Sequence, residues 1–246
     1  MAKIELKNVN VLYESKKKGF ITAIDNLSFS LHENAINVIV GPSGSGKSTL
    51  LKCLAGELIY EGHILYGGSE LEFIKPQDRH ISYMTQDLTI YPHMNVYENI
   101  MFPLKLMKMD YGLADQRVKA IASELDIDYL LTRKPKYISL GQASRVALAK
   151  ALVKDSDLYL FDEPTRGLDV ENKKKVTSLI KEHLKKNNKT AVYITHESQE
   201  AIFLADYIYV LDNGKLIGEF TPMEYLKCQD PKVKELKSDL DEAEKN

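Results

Sequence analysis

Cysteine is scarce in this chain. Its 246 residues hold two, Cys53 and Cys228. That is too few for a disulfide framework or a cysteine metal site, and it suits a reducing compartment. Cys53 stands in an apolar stretch and reads as a small buried residue. Charge of one sign is also lacking: 33 Lys and Arg stand against 35 Asp and Glu, for a formal net charge of -2. No global basic field points to nucleic acid or to an acidic membrane surface, and nucleic acid is not an expected partner. Apolar runs are short; none reaches the ~18 residues that suggest a membrane helix. The opening MAKIELKNVN has no apolar stretch resembling a signal peptide. The expectation is a chain that does not cross a membrane by itself and is held there, if at all, by partners. No internal repeat is evident.

What is present is a patterned α/β sequence. Residues 2–36 alternate apolar and polar side chains (Ile4, Leu6, Val9, Val11, then Leu27, Phe29, Leu31), which predicts half-exposed antiparallel strands with a loop at Ser15–Gly19. Three continuous apolar runs predict strands covered on both faces: Asn37–Val40, Leu158–Phe161 and Ala191–Ile194. Polar residues follow each at once, the arrangement of an open parallel sheet with a site at its carboxyl edge. Leu50, Leu54 and Leu58 fall on one face of a helix after the first run. Residues 88–152 show helical patches at Asn95–Leu106, Leu113–Leu125 and Gly141–Val153, and no comparable strand. The reading is an α/β core over 1–87 and 153–225, with an N-terminal antiparallel β subdomain. A helical subdomain is inserted at 88–152, and 226–246 form a charged tail. From Asp230 that tail, rich in Lys, Asp and Glu, is expected to be a solvated helix or disordered.

The first glycine-rich loop carries chemistry. Gly41-Pro42-Ser43-Gly44-Ser45-Gly46-Lys47-Ser48-Thr49 matches G-x-x-x-x-G-K-[ST] in full. Gly41, Gly44 and Gly46 let the backbone turn so that successive N–H groups, Ser43 and Ser45 among them, face a phosphate. The following helix adds its positive end. Lys47 is placed to reach the β and γ phosphates, Ser48 to ligate Mg²⁺, and Thr49 to donate to a phosphate oxygen. A glycine turn that merely caps a helix is the bland alternative, and a full motif between a strand and a helix argues against it. Asp162 and Glu163 close the second apolar run. An acid at that position suits Mg²⁺, held directly or through water, and the next acid suits a general base that polarises water.

With five further elements in order, the sequence resembles the ATP-binding-cassette (ABC) ATPases over about residues 3–225. The resemblance implies an α/β P-loop NTPase (RecA-like) core that binds ATP and Mg²⁺ and hydrolyses the nucleotide. It makes Tyr13 the aromatic that stacks on adenine, with Phe20 as the rival. Gln86 looks like the glutamine loop that contacts Mg²⁺ and couples the site to the helical subdomain. Ile138-Ser139-Leu140-Gly141-Gln142 looks like the family signature, with Ser139, Gly141 and Gln142 facing the γ-phosphate held by a partner. Asp169 resembles the aspartate loop at a dimer interface, and His196 the switch histidine on the γ-phosphate. Ser139 through Gln142 also reads as a capping box, whose helix end is an anion site. The active unit is therefore expected to be a dimer, of identical chains or of two different ones.

Two departures stand out. Leu140 replaces a glycine and resists a positive φ at roughly 1–2 kcal/mol if the position requires one, so a weakened contact with the partner is expected. Thr165-Arg166-Gly167-Leu168-Asp169 carries Arg166 where small residues are more usual. Tyr91–Ile100, followed by Phe102-Pro103-Leu104-Lys105, resembles bacterial carbohydrate-importer ATPases, in which this region meets permease subunits. The implied role is to energise solute import at the cytoplasmic face of the membrane, with permeases docked through Gln86 to Ile100. The regulatory domain that usually follows in those proteins is not expected here. A soluble cassette of the cluster-assembly type and an exporter ATPase remain open at this point.

Overall fold

Unbroken apolar runs and alternating ones separate into two sheets. The computed structural model describes residues 4–15, 19–238 and 240. Residues 16–18 of the expected Ser15–Gly19 loop, and 239 and 241–246 of the tail, lie outside the described residues.

The alternating strands β1 (Ile4–Ser15) and β2 (Gly19–Leu31) pair antiparallel, as their half-exposed pattern predicts. The fully buried β3 (Ile36–Val40) leads through the glycine loop into α1 (Lys47–Ala55). Next come β4 (Glu61–Tyr66) and β5 (Ser69–Glu70), which complete a four-stranded sheet of order β2-β1-β4-β5, and then β6 (Ile81–Met84). Three helices follow, α2 (Val96–Leu106), α3 (Tyr111–Glu124) and α4 (Leu140–Leu152). The chain then alternates β7 (Leu158–Asp162), α5 (Val170–Lys186), β8 (Thr190–Ile194) and α6 (Ser198–Leu204). It ends with β9 (Tyr207–Asp212), β10 (Lys215–Phe220), α7 (Pro222–Lys227) and α8 (Pro231–Leu236).

The second sheet has the order β10-β9-β3-β8-β7-β6, parallel except for the edge strand β10. Side chains of a strand point to alternate faces, and the two cores follow that rule. Val38, Val40, Tyr159, Phe161, Ala191 and Tyr193 face a core shared with α2 through α8. Their neighbours Ile39, Leu158, Leu160, Val192 and Ile194 face a core shared with α1 and the antiparallel sheet. Each such Val, Leu, Ile or Phe side chain contributes roughly 1.5–3 kcal/mol by leaving water, and the central strands bury both sets.

Two expectations need correction, and the tail has an anchor. The Leu50, Leu54, Leu58 repeat extends one turn past the helix: α1 stops at Ala55, and Gly56 takes a left-handed conformation at φ 84°. Leu58 instead packs from a loop against the core beneath α1. The strands β4, β6 and β10 are too short or too mixed in polarity to have been expected, whereas β9 is a buried apolar run that the sequence reading passed over. The tail beyond Asp230 begins as the mostly exposed helix α8, one of the two expected forms, but it is anchored rather than wholly solvated. Val233 of α8 is fully buried, and Lys237 Nζ donates to the carbonyls of Tyr225, Leu226 and Cys228 at 2.9–3.1 Å. Together with the Ser198 hydroxyl, which donates to Leu236 O at 2.8 Å, these two residues tie down a segment whose composition suggests solvent.

Candidate active site

The parallel register brings separate loops to one edge of the sheet. Asp162 pairs with Ile194, and Phe161 with Met84. Glu163 and His196 thus lie one and two residues beyond neighbouring strand ends, on a cavity shared with the loop that follows β3, while Gln86, two residues beyond β6, does not line it. Ser43, Lys47, Glu163, Arg166, Gly167, Lys173, His196 and Glu197 line a cavity of about 420 Å³ there.

The glycines of the loop are required by their surroundings. A Cβ on Gly46 (φ 100°) would stand 2.4 Å from the Ala23 carbonyl oxygen, and one on Gly41 would stand 2.0 Å from that of Leu211. Gly44 also has a positive φ, of 80°, with open space around it. Ser45 is buried, and its N–H donates to Pro42 O at 3.2 Å. Lys47 is 6% exposed, and its Nζ donates to Gly41 O and Pro42 O at 2.8 Å and to Ser45 Oγ at 3.3 Å. Burial lowers the pKa of its ammonium, while Glu163 and Asp162 act to raise it.

Ser48 Oγ donates to Asp162 Oδ1 at 2.9 Å, and Tyr83 Oη reaches Asp162 Oδ2 at 3.4 Å. Burial raises the Asp162 pKa above the usual carboxylate range, against the Ser48 hydrogen bond. One buried carboxylate bonded to one hydroxyl, beside a cationic loop, fits Mg²⁺ completed by water and phosphate oxygens. It does not fit an all-protein metal cage, and the described residues contain no group of three or more His, Cys, Asp or Glu that could hold a metal.

Glu163 has a φ of 47°, a left-handed conformation that a non-glycine residue adopts only where its surroundings enforce it. Its N–H donates to Ile194 O at 3.1 Å. Its carboxylate lies 3.5 Å from His196 Nδ1 and 3.4 Å from Arg166 Nη1. Thr49 Oγ1 and Tyr13 Oη are 3.2 Å apart, which sets the Tyr13 ring beside the phosphate loop. Phe20 pairs with Glu14, and Tyr13 with Ile21. Phe20 therefore projects from the opposite face of the ribbon, and only Tyr13 is brought to the loop. Gln86 is exposed in the bend after β6.

The signature residues sit elsewhere; none of 139–142 lines the cavity. Both arms of the capping box are made: Gln142 N–H donates to Ser139 Oγ at 3.3 Å, and Ser139 N–H to Gln142 Oε1 at 2.9 Å. Leu140 is the first residue of α4 and is absent from the residues of positive φ. The expected strain at Leu140 does not arise, because helical geometry suits leucine. Leu140→Gly will therefore relieve nothing and will lower stability by up to about 1 kcal/mol, read as a slightly lower melting temperature. Gly141 lies against the Asn172 side chain: a Cβ there would meet Asn172 Oδ1 at 2.6 Å unless that side chain shifts. Asn172 in turn donates to Asp169, from its N–H at 2.9 Å and from Nδ2 at 2.7 Å, so Asp169 caps α5. These bonds hold the Asp169 carboxyl below its ordinary pKa.

In Tyr91–Ile100, most side chains have internal duties. Asn99 is fully buried and bonded to the backbone of Tyr91, Met94 and Asn95. Tyr97 Oη donates to Asp115 at 2.7 Å, and Lys150 Nζ lies 3.8 Å from the Tyr91 ring centre. Pro92, His93 and Glu98 are left exposed. Sequence reading missed Tyr83, Lys173 and Glu197 at the site, because isolated polar residues carry no spacing signal. Arg166 was visible only as a departure from a pattern.

Among the described residues, no helix is long and apolar enough to cross a membrane. The chain is 39% identical over 225 residues to the sn-glycerol-3-phosphate import ATP-binding protein UgpC of Rhodopseudomonas palustris, covering 91% of this chain and 60% of that protein. It is 37% identical to the maltose/maltodextrin import ATP-binding protein MalK of Vibrio parahaemolyticus, covering 91% of this chain and 59% of that one. The chain thus spans about 60% of the length of these curated relatives. Among solved structures, it is similar to a dimeric ATP-binding cassette in a post-hydrolysis state with ADP and phosphate bound. That likeness has a TM-score of 0.80 and 28% identity, covering 89% of this chain and 98% of that one. Residues 24–166, more than half of the chain, match the family described as ABC transporter. A match of that extent, on the fold of a solved cassette, makes this protein a member of the ABC transporter family.

Proposed function

We propose that this chain binds ATP with Mg²⁺ and hydrolyses it, as the energy-supplying subunit of a solute importer. The observation that carries the reading is the cavity itself. A buried lysine on a glycine loop and a glutamate flanked by His196 open onto one space, and the buried acid that accepts from Ser48 directly precedes that glutamate. In this reading the loop N–H groups and Lys47 hold the β and γ phosphates, and Tyr13 stacks on adenine. Ser48, Asp162 and Gln86 would hold Mg²⁺, and its charge would offset that of the phosphates. Glu163 takes a proton from water as its oxygen bonds to the γ-phosphorus. The bond to the β-phosphate oxygen breaks, and ADP and phosphate leave. His196 holds the γ-phosphate, with charge stabilisation as the main catalytic term.

The relatives named above are import proteins, and this supports import of a carbohydrate or a polyol phosphate. Two cassettes are proposed to pair, with Ser139, Gly141 and Gln142 of each facing the nucleotide of the other and Asp169 at the seam. Residues 88–152 act as a body that moves against the core. Gln86 to Ile100 passes that motion to permease subunits, with the chain at the cytoplasmic face of the membrane. Light scattering during size-exclusion chromatography of Glu163→Gln protein tests the pairing. A doubled mass with Mg-ATP is the expected result, and a monomer under all conditions overturns self-pairing.

A further inference from the structure

One carboxylate behind the site gathers hydroxyl groups from separate segments. Glu200, the third residue of α6, accepts at Oε1 from Tyr193 Oη at 2.6 Å and from Thr165 Oγ1 at 2.7 Å. Its Oε2 accepts from Thr195 Oγ1 at 2.5 Å. Thr177 Oγ1 stands 3.3 Å from Oε1, but its one proton goes to the Lys173 carbonyl at 2.6 Å. Lys173, a nearby lysine, is paired with Glu197 instead. Burial first, and then Glu200, push the Tyr193 hydroxyl well above its ordinary pKa, so it remains a donor.

The tied segments border the chemistry. Thr195 immediately precedes His196. Glu197 N–H donates to Thr195 Oγ1 at 3.1 Å, so both neighbours of the histidine trace back to one carboxylate. Thr165 lies two residues past Glu163, in the turn whose Asp169 caps α5. Hydrogen bonds to an ionised group are about twice as strong as neutral ones, and three of them from three positions fix direction as well as distance.

We propose that Glu200 is a positioning residue for hydrolysis, setting His196 and the 163–169 turn in register with each other. It rests on the ATPase reading given above. The sequence offers no motif for it; the tie exists only once β7, β8 and α6 are packed.

The test is steady-state ATPase kinetics on the full chain as wild type, Glu200→Gln, Thr195→Val and the double variant, with melting temperatures alongside. Gln keeps the shape and one accepting oxygen, so folding is retained. The expected result for Glu200→Gln is a kcat lowered about ten- to a hundredfold, the scale of a misplaced group near the chemistry. KM for ATP and the melting temperature stay near wild type. Thr195→Val reproduces the loss, and the double variant adds little, because both cut the same tie. A wild-type kcat in Glu200→Gln overturns the proposal, as does a KM that rises with falling melting temperature at constant kcat. So do additive losses. No turnover in the wild type overturns the ATPase reading and this proposal together; normal turnover in both proteins overturns this one alone.

Discussion

Glu163→Gln protein will bind Mg-ATP as tightly as the parent and turn it over about 10²–10⁴-fold more slowly, the usual range for a lost general base. Glutamine keeps the shape of the side chain and its place on the strained backbone, where the residue's N–H still donates to Ile194 O. It cannot take a proton from water. The carboxylate contacts to His196 and Arg166 are lost as well, but at 3.5 and 3.4 Å with exposed partners they contribute little to folding. Single-turnover hydrolysis and equilibrium binding, measured on the same protein, separate the two effects. A Glu163→Gln rate within a few-fold of wild type would sink the assignment.

Lys47→Ala will fail one step earlier, at binding. The ammonium lies over three oxygens of its own loop, and a phosphate arriving there meets the positive end of α1 and a cation already in place. Losing a charge-assisted contact of about 1.5–3 kcal/mol weakens ATP affinity roughly ten- to 150-fold. The loop should still form, since Gly41 and Gly46 keep their contacts with Leu211 and Ala23. Titration with a fluorescent ATP analogue reads the change, and an unchanged Kd refutes the role. Set beside Glu163→Gln, it distinguishes a binding residue from a rate residue.

Much of this was legible because it rests on local rules. The central strands show as unbroken apolar runs since both faces are covered, and the capping box at Ser139 shows in four residues. The phosphate loop shows because glycine is needed where a Cβ would strike Leu211 or Ala23. What was not legible depends on tertiary placement. The end of α1 at Ala55 follows from Gly56, while Leu58 continued the apolar repeat beyond it. Leu140 invited an argument about strain that its helical position removes. Glu200 is one of many glutamates until three hydroxyls converge on it. Val233 is one valine in a charged tail until it meets the core.

The contact between Gly141 and Asn172 bears on how cassettes decay. A copy that lost its partner would be free to drift at positions that serve only the partner. Position 141 would drift less freely, because a side chain there must push aside the Asn172 side chain of the same chain and its hydrogen bond to Asp169. A glycine retained at that place in a sequence collection is therefore poor testimony that the copy still works in a pair. Ser139 is no better, since it caps its own helix. Drift at Leu140, more than half exposed and free of such duties, is where relaxed selection would be written first.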